Sequence, residues 1–305
     1  MEETTAYEVI IIGGSYAGLS AAMTLGRSLR SVLLIDSGTP CNRNSPYSHN
    51  LIGFDGESPA VIAEKAREQV LKYHSVTYLV GHATAVSGYD NEFQVTTDAG
   101  LSFLAKKILL ATGITDIIPD IPGFSACWGK TVIHCPYCHA YEIKDQKIGI
   151  YAHGEAGFEM SRLMRNWSKS ISLLTNDNEP FTFDELKKLK NKEIPVFPKA
   201  IAEILHDGGQ VTKVVFADGD SEDFDAIYAR AGVRQSTMIP IDMGCELDDH
   251  GFLVVDHSQR TNVKGVFAAG DNTMAMRSLA RSIAAGNTAG ICINHELINE
   301  DSQWD

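Results

Sequence analysis

YEVIIIGGSYAGLSAAMTLGRSLRSVLLIDSG, residues 7–38, reads as strand, glycine turn, helix and strand. The Val- and Ile-rich run that opens it has the unalternating apolar character of a parallel strand buried on both faces. The turn Gly13-Gly14-Ser15-Tyr16-Ala17-Gly18 nearly matches G-x-G-x-x-G. In that fingerprint the first glycine makes the turn, the second lets a pyrophosphate approach the backbone, and the third lets helix and strand pack closely. Ser15 stands at the second position; it is small and can donate a hydrogen bond to phosphate. A helix over residues 17–29 presents free N–H groups and a positive dipole end at its start. Asp36, 18 residues after Gly18, suits a ribose hydroxyl. Together these features predict a dinucleotide site on Gly13, Ser15, Gly18 and Asp36.

The plan occurs twice. KIGIYAHGEAGFEMSRLMRNWSKSISLLTND, starting at Lys147, repeats strand, glycine turn, helix and strand, with Ala152 at the first glycine position and Gly154 and Gly157 at the others. Short strands follow each unit: VTYLVGHATAVSGYD, EFQVTT and LSFLAKKILL after the first, and VVFADGDSEDFDAIYARAG after the second. A last strand, KGVFAAGD, leads into an Ala-, Ser- and Gly-rich helix expected over residues 273–298. DIIPDIPGF and GVRQSTMIP read as two crossings. The fold class is therefore α/β, with two Rossmann-like dinucleotide-binding domains of three-layer ββα form, the second inserted into the first. Residues 1–116 and 241–305 make one domain and residues 117–240 the other.

A net charge of −13 argues against a nucleic-acid partner, because an acidic surface repels phosphate. No apolar run is long enough to span a bilayer. The N-terminus, MEETTAYEVI, lacks the basic and apolar regions of a signal peptide. The expectation is a cytoplasmic protein without membrane association.

Of six cysteines, Cys135 and Cys138 are the one close pair, in HCPYCHAYE, residues 134–142. The stretch fits a zinc site, a c-type haem attachment or a redox-active disulfide. Structural zinc needs four converging ligands; His134 and His139 each adjoin a cysteine, and no second CxxC exists. Covalent haem requires export. In a reducing cytosol a close cysteine pair is catalytic or redox-sensing rather than structural. Pro136 suits the first helical position, and a short helix over residues 136–142 would place the pair where free N–H groups stabilise a thiolate. No metal is expected.

With these motifs in place the chain resembles the low-molecular-weight thioredoxin reductases. The carriers are IIIGGSYAGLSAA, ILLATG, the CxxC inside the second unit and GVFAAGD, in that order along nearly the whole chain. The resemblance implies FAD in the first domain, its ADP half on Gly13, Ser15, Gly18 and Asp36. It implies Thr112 and Gly113 bordering the cofactor, and Gly270 and Asp271 at the ribityl chain and pyrophosphate. SHNLIGFDG falls where the family carries a flavin-contacting asparagine, which nominates Asn50, with His49 its neighbour. It also implies a homodimer and a Cys135–Cys138 disulfide, with Cys138 toward the flavin and Cys135 exchanging with substrate. His139 would shuttle the proton, since an imidazole titrates at about 6.5. Glu142, at i+3 from His139, could orient its ring.

Two departures matter. The family commonly has an Asp directly after the CxxC; His139 here resembles a CPYCH subgroup that includes gliotoxin-type dithiol oxidases. The second unit's last strand ends in Thr175, Asn176 and Asp177, and no arginine occurs from Asn166 through Ala229. An acid there repels a 2′-phosphate but can bond an unphosphorylated ribose. FAD is thus expected, with NADPH, NADH or no nicotinamide left open. The expected function is an FAD-dependent thiol–disulfide oxidoreductase acting on a thioredoxin-like protein or a small dithiol or disulfide. The alternatives are an oxygen-dependent dithiol oxidase and a non-catalytic redox sensor. Arg277 and Arg281 read as i and i+4 on the C-terminal helix; they, His134 and Tyr137 carry no assigned role. The acidic tail NEDSQWD is expected to be solvated.

Overall fold

In the computed structural model, residues 7–38 form the strand Thr5–Ile12, the helix Tyr16–Arg27 and the strand Val32–Asp36. The structure describes residues 5–177 and 181–301; the tail residues 302–305 lie outside it. The chain divides into two units, Met1–Arg43 with Ala60–Thr115 and Val233–Asp305, and Asn44–Pro59 with Asp116–Gly232. No described helix is long and apolar enough to cross a membrane.

In the first unit the parallel strands run Val76–Val80, Val32–Asp36, Thr5–Ile12, Ser102–Leu110. The long strand Ser102–Leu110 divides its outer edge between two partners. Phe93–Thr97 pairs antiparallel with its first half, and Val266–Ala268 pairs parallel with Ile108, Leu109 and Leu110. Hence Ile108, Leu109 and Leu110 are fully buried, whereas the first half alternates. One face of the sheet carries the helix Tyr16–Arg27, against which the C-terminal helix Leu279–Asn299 lies backbone to backbone. Small residues permit that approach: a Cβ on Gly286 would stand 2.0 Å from the Ala17 carbonyl oxygen. Burial of each Val, Ile or Leu in this layer contributes roughly 1.5–3 kcal/mol.

The C-terminal helix begins later than its composition suggests. Asp271–Thr273 is a separate 3-10 turn, Met274 is extended, and Ser278 caps the helix by accepting from the Arg281 N–H at 3.2 Å. Ser278 offers the N–H groups a side-chain acceptor, which is why the helix starts there. Arg277 therefore precedes the helix, and only Arg281 lies on it.

In the second unit five parallel strands run Val196–Phe197, Ile171–Leu174, Ile148–Tyr151, Ala226–Ala229, Val132–Ile133. The helices Gly154–Met164 and Phe183–Asn191 contribute to an apolar layer with Ile148, Ile150, Met164 and Leu189. A second apolar layer joins the sheet to an antiparallel meander of Ile201–Asp207, Gln210–Phe216 and Ser221–Asp223, through Phe124, Val214, Phe216 and Phe224. Each unit is thus a parallel sheet with antiparallel strands and helices added, the α/β class read from the sequence.

Candidate active site

Around the first glycine turn the structure gathers most of the residues nominated for FAD. Gly13 has φ +108°, and its N–H donates to the Ile35 carbonyl at 2.8 Å. A Cβ on Gly13 would lie 2.1 Å from the Ala111 oxygen, and one on Gly18 would lie 1.9 Å from the Gly13 oxygen. Both positions therefore require glycine, one for the turn and one for close helix–strand packing. Ser15 is the N-cap of the helix, and its side chain makes no cap bond.

Asp36 is held by the turn it faces. Its Oδ1 accepts from the Gly14 and Gly38 N–H groups, each at 3.2 Å, and its Oδ2 accepts from the Tyr78 hydroxyl at 2.6 Å. Gly270, φ +102°, has its Cα side against Ala17, and Asp271 Oδ1 accepts from Ser282 at 3.1 Å. Asn272, fully buried, donates through Nδ2 to the Leu110 carbonyl at 2.8 Å and to Thr112 Oγ1 at 3.4 Å. Among the described residues its Oδ1 meets no donor. A glycine cradle, a helix start with free N–H groups, a braced acid and an orphaned buried oxygen together fit a dinucleotide. Asn50 is not among them; it lies in the segment Asn44–Pro59 of the other unit, exposed and with φ +62°.

Asn272 is a residue that sequence reading missed, because nothing local separates it from any polar residue after Gly270-Asp271. Asn272→Ala leaves a carbonyl and a hydroxyl short of a donor. It is expected to destabilise the protein by about 1–3 kcal/mol, measured by urea unfolding.

Cys135 and Cys138 form a disulfide with Cα atoms 5.3 Å apart. Pro136 opens a helix that spans only Pro136–His139, shorter than residues 136–142. Beyond it the chain passes through successive turns, with Lys144 N–H donating to Tyr141 and Asp145 at φ +62°. A single turn sums few peptide dipoles, so its free N–H groups, not a macrodipole, are what it offers a thiolate. Aromatic contacts hold the motif. The His134 ring stacks on Trp128 at 5.7 Å, its carbonyl accepts from the Tyr228 hydroxyl, and Tyr137 meets Trp167 edge-on at 5.8 Å.

His139 sits half-buried beside the disulfide. Burial pushes its pKa below the ordinary histidine value; the Glu142 carboxylate opposes that shift and His49 adds to it. The ring is therefore neutral at neutral pH and ready to accept a proton. His49 comes from the loop closed by Ser48 and Glu57, a participant that its distance in sequence from HCPYCHAYE concealed. No group of three His, Cys, Asp or Glu among the described residues is arranged to hold a metal ion.

The second glycine turn is less tightly packed than the first: a Cβ on Gly154 would meet nothing within 4 Å. Gly154, φ +54°, opens the helix, with His153 as N-cap. Asn176 is committed elsewhere: its Oδ1 accepts from the Ile201 N–H at 2.7 Å, and its Nδ2 reaches the Tyr151 hydroxyl at 3.4 Å. Asp177 is exposed.

The family profile described as pyridine nucleotide-disulphide oxidoreductase matches residues 7–289. The thioredoxin reductase tcpT of Claviceps purpurea is 29% identical over 309 residues, covering 98% of this chain and 96% of that protein. A putative thioredoxin reductase TrxB from Bacillus anthracis superposes with a TM-score of 0.92 at 32% identity, covering 96% of this chain and 99% of that one. An oxidoreductase from Agrobacterium tumefaciens gives 0.91 at 34% identity, covering 97% and 100%. The chain therefore belongs to the pyridine nucleotide-disulphide oxidoreductase family and is a thioredoxin reductase-like, flavin-dependent disulfide oxidoreductase.

Proposed function

We propose that the protein exchanges electron pairs between FAD and an external dithiol or disulfide through Cys135 and Cys138. The observation that carries this reading is the Cys135–Cys138 disulfide flanked by a half-buried, neutral His139. Gly13, Ser15, Gly18 and Asp36 hold the ADP half of FAD, and Thr112, Gly113, Gly270 and Asp271 line the remainder. Asn50 is assigned to the flavin by its place in SHNLIGFDG alone. FAD, when bound, supplies the two-electron store. Cys135 meets the substrate, Cys138 takes the electron pair released from the disulfide, and His139 holds the proton that a substrate thiol gives up. Net charge −13 disfavours acidic substrates, so a neutral or cationic small dithiol, or a thioredoxin-like protein of matching charge, is the expected partner. We place the enzyme in the cytoplasm as a homodimer.

A second reading is favoured by the commitment of Asn176 to Ile201 and Tyr151. With that amide occupied and an acid next to it, the second unit holds no nicotinamide cofactor, and electrons enter from a dithiol and leave to oxygen. Anaerobic titration of the yellow holoprotein decides between the two. Bleaching by dithiothreitol but not by NADPH or NADH, with peroxide formed on re-aeration, is expected. Rapid bleaching by NADPH would refute the oxidase reading, and little turnover with any of the donors would leave only the redox sensor.

A further inference from the structure

Asp55, His49 and Glu142 stand in line beside the disulfide centre. His49 Nδ1 lies 3.6 Å from Asp55 Oδ1, and its Nε2 lies 3.5 Å from Glu142 Oε1. The loop that carries His49 is closed on itself. Ser48 N–H donates to the Glu57 carbonyl at 2.8 Å, and Gly56 N–H donates to the Ser48 carbonyl at 2.9 Å. Asn50 N–H donates to Asp55 Oδ1 at 2.7 Å. Asp55 is therefore fixed by the backbone next to His49, and the ring is bracketed by two carboxylates. The His49 side chain is 22% exposed, against 41% for Glu142 and 67% for Asp55, so both carboxylates open to solvent while the imidazole between them is sheltered.

The titratable groups acting on His139 are Glu142, just past its own helical turn, and His49 from the loop; Asp55 faces His49 in turn. Glu142 and His49 act on His139 in opposite senses, the carboxylate favouring its protonated form and the second imidazole disfavouring it. Glu142 follows His139 by three residues, in the turns that continue from its short helix, and His49, anchored by Asp55, lies 3.5 Å from the Glu142 carboxylate and is placed to hold it.

We propose that Glu142, held by the His49–Asp55 pair, is the proton exit of His139, and that the loop closed by Ser48 and Glu57 exists to position it. The proposal rests on the reading of His139 as the proton carrier. In the exchange step a substrate thiol gives its proton to His139 as its sulfur bonds to Cys135 Sγ. The Cys135–Cys138 bond breaks and its electron pair leaves on Cys138. His139 then passes the proton to Glu142, which releases it to water, and the neutral ring is restored for the second thiol. The second thiol gives up its proton by the same route as its sulfur displaces Cys135, closing the substrate disulfide. Two protons leave for the one electron pair that passes from the dithiol to the cysteine pair, and both rings end as they began.

The test is the pH profile of disulfide exchange in the full-length holoprotein, with dithiothreitol as the probe. Free thiols are alkylated at timed intervals and counted by intact mass, a readout that needs no flavin chemistry. Glu142→Gln is expected to slow exchange about ten-fold at neutral pH and to move the acid limb of the profile to lower pH. His49→Gln is expected to move that limb to higher pH, and Asp55→Asn to do so more weakly. Glu142→Asp should restore part of the rate. Opposite displacements are not what a merely structural role produces, and unchanged melting temperatures exclude misfolding. If Glu142→Gln and His49→Gln keep the wild-type profile while His139→Asn is slow, the relay is wrong and the reading of His139 stands. If His139→Asn exchanges at the wild-type rate, both fall.

Discussion

Replacing Cys138 by serine is expected to abolish turnover, by at least about 10³-fold, while leaving the protein folded and yellow. The disulfide closes a ring of only four residues on one helical turn, so its removal costs little fold stability. What is lost is the leaving sulfur: without it, Cys135 carries no disulfide bond for a substrate thiolate to break and no sulfur to accept the bonding pair. Cys135 then remains as a lone thiol at the N-cap of the turn, and it is expected to trap a mixed disulfide with a reagent such as dithionitrobenzoate, seen as an added mass. Cys135→Ser should be equally inactive but should not accumulate that adduct. It should instead show the long-wavelength absorbance of a thiolate beside oxidised flavin. If the adduct forms on Cys135→Ser and the long-wavelength band appears in Cys138→Ser, the two cysteines exchange roles.

The second large effect concerns stability. Lys107→Met is expected to lower the unfolding free energy by about 3–5 kcal/mol. The Lys107 side chain is fully buried, with Nζ 2.6 Å from Asp90 Oδ1 and 2.6 Å from Glu300 Oε1, and 4.0 Å from Glu296 Oε2. Lys264 binds the other Asp90 oxygen at 2.9 Å, and Arg260 binds Glu296 at 2.5 Å. Removing the central cation leaves carboxylates facing one another beside apolar strands, and the end of the C-terminal helix loses its tie to the sheet. Urea unfolding measures the loss; a change below about 0.5 kcal/mol would show that the cluster contributes nothing beyond an exposed ion pair. The same cluster carries a pH signature. Burial alone would raise the Asp90 carboxyl, but hydrogen bonds from Lys107 and Lys264 hold it below the usual carboxylate range. Its contribution is therefore complete above that range and is lost as the pH falls through the lowered native value. Asp90→Asn should remove that share of the acid dependence.

These two sites differ in how readable they are. CPYCH is contiguous, and its chemistry is a property of adjacent residue types, so the cysteines and His139 can be nominated from the chain alone. Lys107 stands beside Lys106 in LAKKILL, and nothing local separates them. Strand alternation turns Lys106 outward and Lys107 inward. An inward lysine is tolerable only because carboxylates from positions 90, 296 and 300 arrive at the same place. The start of the C-terminal helix shows the same limit. Composition favours helix from Thr273, but Asn272 is drawn into the core by Leu110 and Thr112, and the helix waits for the Ser278 cap.

The α/β class, the two glycine turns and the redox pair were decided along the chain, because each depends on spacing within a few dozen residues: an apolar strand, a turn that only glycine can make, and two sulfurs three positions apart. The partners of those groups were decided by tertiary structure alone. His49 and Glu142, Asn272 and Leu110, and Asn176 and Ile201 are each brought together by a loop or strand remote in sequence. A polar side chain's chemistry is set by what faces it once water is removed, and that becomes defined only when distant segments close around it.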